Sequence, residues 1–97
     1  MAEVDHAANA RGIADLPPTH LFIFGNPKAG TALMLDARAT GIDLPMKLLV
    51  WEDATGETRV AYNDPNWIAE RHGIDELEPL LTKMSGALGA IAGAAVQ

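Results

Sequence analysis

The run His20-Leu21-Phe22-Ile23-Phe24 constrains this chain more than any other segment. Pro17-Pro18 precede it and Gly25 ends it, which reads as a sharply bounded strand. Successive side chains of a strand point to opposite sides, so four large apolar residues in a row place bulk on both faces. Such a strand is either covered on both faces or is an alternating strand with a hydrophobic rim.

The fold around it must be small. A chain of 97 residues buries only roughly 60–65% of the surface it exposes when unfolded, so this is one domain, residues 1–97, with one core. Cysteine is absent, which excludes disulfides, thiolate metal sites and cysteine nucleophiles. A domain of this size holds itself by packing or borrows surface from a partner.

Local signals then order the elements. Val4-Asp5-His6-Ala7-Ala8 reads as the end of a strand, and Asn9-Ala10-Arg11-Gly12 as a turn. Gly25 to Gly30 reads as a second turn, with Thr31 capping a short helix from Ala32 to about Ala39. Residues 46–51 and 58–62 form a hairpin whose loop uses Gly56 for a positive φ. Asp64-Pro65 opens a helix that Gly73 closes. Asp75 and Glu78 pair as a capping box for the last helix, with Pro79 allowing its start to shift. Leu77, Leu80, Leu81, Met84, Leu88, Ile91 and Ala95 form one apolar stripe on it. Gly86, Gly89 and Gly93 lie on its other faces, and two readings stand: a helix–helix contact, or fraying of the Gly/Ala tail at 89–97.

Charge narrows the partners. The net charge is −6, of which −5 lies in residues 49–97, and the bases are scattered singly. Nucleic acid is therefore an unsuitable partner, because its binding rests on Lys and Arg neutralising phosphates. The N-terminal residues lack a signal-peptide pattern, and the uncharged run from Met84 to Gln97 is too short to span a bilayer. A cytoplasmic protein with no membrane partner is expected.

The motifs carry limited chemistry. Gly25-Asn26-Pro27-Lys28-Ala29-Gly30-Thr31 has the setting and glycine spacing of a phosphate-cradling loop. Thr31, however, stands where that motif needs Lys, and Pro27 removes an amide. This leaves a small-anion site with Lys28, or an ordinary strand-to-helix turn. The three histidines, His6, His20 and His72, show no ligand spacing on a helix, so no metal is expected. Asp5 beside His6 is a candidate acid–base pair, although neighbours on a strand point to opposite faces. His20 reads as a solvated edge residue and His72 as a helix C-terminal one. Tyr62 and Asn63 are positioned to line a pocket where strand meets helix.

Taken together, Leu21-Phe22-Ile23-Phe24-Gly25-Asn26-Pro27 with Gly30-Thr31, Asp43-Leu44-Pro45, Leu49-Val50-Trp51-Glu52-Asp53, Tyr62-Asn63-Asp64-Pro65 and Glu70-Arg71-His72-Gly73 resemble the Domain of Unknown Function 302 family. Asp5-His6-Ala7-Ala8 fits its upstream motif, and the likeness runs from about Val4 to about Leu81. The resemblance implies a TBP-like α+β fold: a curved antiparallel sheet packed by helices. It implies no established activity and no cofactor. The family's recurring polar positions fall here on Asp5, His6, Asn26, Thr31, Lys47, Asn63, Asp64 and His72, which the resemblance makes candidate ligand-binding residues. Members carry a first strand and long helix before the Asp-His motif, whereas here only Met1-Ala2-Glu3 precede Val4. A unit of that kind is on the order of 25 residues. Its absence predicts exposed sheet surface and self-association, most simply as a dimer.

Three functions follow as expectations. The first is a homo-oligomeric module binding a small polar or anionic ligand at a polar cluster near the strand ends. The second is a small enzyme using His6 or His72 with Asp5 or Asp64. The third is a structural or interaction domain without ligand.

Overall fold

The computed structural model describes residues 2–96. Its elements, in chain order, are β1 (Ala2–Asp5), α1 (His6–Asn9), β2 (Thr19–Phe24), α2 (Pro27–Asp36), a 3₁₀ segment (Arg38–Asp43), β3 (Met46–Glu52), β4 (Thr58–Tyr62), α3 (Pro65–Arg71) and α4 (Glu78–Ala95). The four strands form one antiparallel sheet in the order β1-β2-β3-β4. Helices pack on it, giving the expected α+β fold.

Register assigns every strand residue to a face. Phe24 lies opposite Met46, and Phe22 opposite Leu48, which in turn faces Tyr62. Met46 and Leu48 are buried, so this is the helix side of the sheet. Met46 packs with Ile68 of α3 and Leu88 of α4, joined by Phe24, Leu44 and Met84. A second cluster, Leu33, Ala69, Ile74 and Leu81, lies between the helices, and Leu44 and Met84 touch both clusters. The intervening residues Val4, Leu21, Ile23, Leu49 and Trp51 point to the outer face, and each is only half-buried. The bulk on both sides of β2 thus meets helices on one side alone.

Several helix starts differ from the expectation. Helix α2 begins at Pro27, not after Thr31: Asn26 is its cap, accepting from the Lys28 amide at 3.0 Å. An Asn-Pro pair supplies both the capping oxygen and the preset φ of a first helical residue, so it outcompetes Thr31 four residues later. The Gly25–Gly30 stretch is therefore a helical turn, with the Gly30 amide donating to the Asn26 carbonyl at 2.9 Å, and it forms no phosphate-cradling loop. Helix α4 starts at Glu78 behind Leu77, without a side-chain cap. Pro79 must sit in the first turn, where no amide is needed, and this displaces the Asp75–Glu78 box. Val4 and Asp5 do end a strand, but His6 already opens a short helix.

The remaining signals appear as read. Asp64 caps α3 through the Asn66 amide at 2.8 Å, and Gly73 follows with φ +71°. Gly56, at φ +83°, turns the β3–β4 loop. Asp53 organises that loop, accepting from the Thr55 amide (2.9 Å) and hydroxyl (2.7 Å), the Glu57 amide (3.0 Å) and Arg59 Nε (2.8 Å). The Thr55 hydroxyl first, then Arg59 and the Glu57 amide, hold its carboxyl well below the usual range. Helix α4 continues through Ala95, with Gln97 outside the described residues. A Cβ at Gly86, Gly89 or Gly93 would meet nothing within 4 Å, so the glycines face open space.

Leu88 is 1% exposed and joins α4 to both the sheet and α3. Leu88→Ala is expected to cost about 2–5 kcal/mol of unfolding free energy, read from urea denaturation. The exposed Gly89→Ala, by contrast, should stabilise by about 0.5–1 kcal/mol through helix propensity.

Candidate functional site

A groove of about 930 Å³ lies between α2 and α4, closed at one end where β2 and β3 meet their loops. Its walls are apolar: Ala29 and Met34 from α2, Leu44 and Pro45 before β3, and Leu80, Met84 and Ile91 from α4. Gly41 lets the wall close, since a Cβ there would come within 3.1 Å of the Met34 sulfur. The polar groups at the lining are Asn26 and Thr31, and its single charged side chain is Lys83. Not one of the chain's 13 acids lines it, although the net charge is −6.

A smaller cleft of about 440 Å³ lies by α1, with Asp5, Arg11, Asp15 and His20 among its lining residues. His20 Nδ1 stands 2.9 Å from Glu3 Oε2, and its ring stacks with Phe22 at 6.3 Å between centroids.

The third feature joins residues far apart in sequence. His72 Nε2 lies 2.6 Å from Asp43 Oδ2, and Arg71 donates to both Asp43 oxygens at 2.9 and 3.0 Å. The Asp43 and His72 side chains are only 11% and 9% exposed, while the Arg71 guanidinium also lies 5.8 Å from the Trp67 ring. The hydrogen bond with His72 dominates in holding the Asp43 carboxyl below its ordinary value; desolvation opposes it and the Arg71 charge adds to it. Neither Asp43 nor His72 lines the groove or the cleft. The cluster ties the 3₁₀ segment to the end of α3, holding Gly41, Leu44 and Pro45 as a groove wall.

The eight residues singled out in the sequence are dispersed by this geometry. Asn26 and Thr31 share the groove. Asp5 pairs in register with His20, at the end of β2 away from Phe24, and its carboxylate accepts from the Ala8 amide as a cap at 2.9 Å. His6 opens α1 beside it. Lys47 alternates with Met46 and Leu48, so it lies on the outer face, where its Nζ donates to the Pro45 carbonyl at 3.2 Å. Asn63 is exposed between β4 and α3, and Asp64 is spent on the α3 cap. His72 meets Asp43 rather than Asp64. Asp43 and Arg71 stood in the motif stretches, but local spacing says nothing about a contact spanning 28 residues. Lys83, Met34 and Met84 are legible in the sequence only as helix positions, and Met46 only as a strand position.

Among the described residues no three His, Asp or Glu side chains converge as a metal site. No helix among them is long and apolar enough to cross a membrane.

The family model described as "Domain of unknown function DUF302" matches residues 1–91. A crystal structure of an uncharacterized conserved DUF302 protein from Bacillus stearothermophilus superposes with a TM-score of 0.81 at 16% identity, covering 98% of this chain and 75% of that one. The "Fluoride-specific ion channel FluC 1" of Brucella suis biovar 1 (strain 1330) is 51% identical over 72 residues, covering 73% of this chain and 28% of that protein. The protein of the same name from Brucella abortus biovar 1 (strain 9-941) is also 51% identical over 72 residues, 27% of its length. The chain thus spans little more than a quarter of these curated relatives.

Removing the Asp43 carboxylate leaves Arg71 and His72 unpaired, so Asp43→Ala should cost about 1–3 kcal/mol at neutral pH. A depressed carboxyl pKa contributes stability that is full above the unfolded value and is lost as pH falls through the folded one. The stability gap between wild type and Asp43→Ala should therefore persist down to the ordinary value of 3.8 and close below it, as read by urea titrations at stepped pH.

Proposed function

Since the chain belongs to the family described as "Domain of unknown function DUF302", whose description assigns no activity, we propose from its geometry that it is a binding module for a small amphipathic anion. The apolar body of the ligand lies between α2 and α4, and its acidic head meets Lys83. The observation that carries this reading is the groove itself: about 930 Å³, apolar, with one cation and no carboxylate in its lining. An apolar concavity with a few convergent polar groups suits a small molecule, and the lone cation selects an anion. Asn26 and Thr31 add polar groups near the strand ends.

The channel named in the Brucella relatives is not carried over to this chain. The match covers little more than a quarter of those proteins, and no helix among the described residues here is long and apolar enough to cross a membrane. Within such a longer protein the domain would sense a ligand rather than conduct an ion. A second reading, a structural domain without ligand, draws support from the use of Asp5, Asn26 and Asp64 as helix caps. An acid–base enzyme is less well supported, because the close His72–Asp43 pair lies outside both concavities.

Octanoate serves as the probe. In an amide-resolved NMR titration, octanoate should shift Thr31, Met34, Lys83 and Met84, while sodium fluoride and inorganic phosphate leave them unmoved. Lys83→Glu should weaken octanoate binding roughly tenfold, about 1.4 kcal/mol. No octanoate shift, or binding indifferent to Lys83→Glu, would favour the domain without ligand.

A further inference from the structure

The outer face of the sheet is the second large surface without a partner in the chain. Register arranges it in three rows: Ala2, Ile23 and Lys47; Val4, Leu21, Leu49 and Ala61; Thr19, Trp51 and Arg59. The middle row is apolar across all four strands. No Asp or Glu occupies any of these positions, in a chain with 13 acids. The two cations of the face are drawn to its margins. Lys47 Nζ donates to the Pro45 carbonyl, and Arg59 pairs with Asp53 at 2.8 Å and Glu57 at 3.4 Å in the hairpin loop. What remains is an apolar field with a polar rim, the anatomy of a protein interface.

The dimensions of the chain agree. Its radius of gyration is 15.2 Å, against roughly 12.5 Å for a compact domain of this length. Its accessible surface is 6518 Å², whereas a monomer of this mass has about 5,400 Å². The excess, on the order of 1,100 Å², exceeds the roughly 800 Å² per partner that a specific interface of standard size removes.

We propose that this outer face is the contact of a two-fold dimer, the occupant being a second copy of the chain. Two identical twisted sheets pack face to face about 10 Å apart, with their strands inclined by about 30°. A two-fold interface presents the same patch twice, so a face without carboxylates meets another such face and the charge of −6 on each copy stays at the periphery. Leu21 and Leu49 fall at the centre, with Ile23 and Trp51 flanking them. Helix α4 offers a rival surface at Gly86, Gly89 and Gly93, but it lacks large side chains to bury.

Sedimentation velocity of the full chain across a concentration series tests the proposal. A reversible dimer in the micromolar range is expected, tighter at higher salt because screening relieves the repulsion between two acidic copies. Leu49→Thr puts a β-branched, strand-compatible residue in place of the apolar one and should weaken the dimer at least tenfold. Ala61→Glu, at an exposed position on β4, should do the same with no core contact at risk, and thermal melts of dilute samples verify that both variants fold. Gly89→Glu should leave the dimer unchanged. A chain that stays monomeric throughout, or a dimer lost in Gly89→Glu and kept in Ala61→Glu, overturns the proposal.

Discussion

The pleat of β3 is the constraint on which the rest of the structure depends. It is paired on both sides, by β2 and β4, so its register cannot shift without flipping every side chain to the other face. With Met46 packed against α3 and α4 and Leu48 buried on the same side of the strand, Leu49 and Trp51 are committed to the outer face, and Lys47 with them. That single alternation decides where the core lies, why Lys47 cannot join a site beside Asn26, and why an apolar surface is left on the far side.

The polar residues that looked most chemical are mostly consumed by the backbone. Each helix start leaves amides without intrahelical partners, and a short carboxylate or amide side chain is the nearest acceptor. Asp5, Asn26 and Asp64 meet that demand, and Asp53 meets the comparable one of the β3–β4 loop. Asp43 is different: it stabilises a contact between distant segments, where the burial of a carboxylate is offset by two partners at once. It also holds one wall of the groove between α2 and α4. Stability and the candidate site therefore share a residue that touches no ligand.

The groove and the outer face have opposite electrostatic logic to the rest of the molecule. An acidic chain that keeps its carboxylates off both surfaces leaves them suited to partners that the remaining surface would repel. In the groove, Lys83 is the one charged side chain of an apolar lining, which is the feature the proposed small anion would use. On the sheet, the absence of charge at the centre suits a flat apolar partner. The two surfaces lie on opposite sides of the sheet, so a second copy on one does not obstruct a ligand in the other.

The sequence by itself determined the strand at Leu21–Phe24, the hairpin around Gly56, the α3 start at Asp64-Pro65 and its end at Gly73. Each is set by interactions within a few residues: the pleat, the positive φ of glycine, the oxygen of a cap. It also determined the family likeness, and with it the α+β architecture. Where two local signals competed, as Asn26-Pro27 against Thr31 or Asp75 against Pro79, the stronger backbone restriction prevailed. Tertiary structure alone decided which face of β2 and β3 the helices would cover. It alone brought His72 to Asp43, set Lys83 in the groove, and dispersed eight candidate residues across both ends and both faces of the sheet. The reason is geometric: spacing along a chain specifies direction within one element, while contact between elements depends on how their apolar faces are buried together.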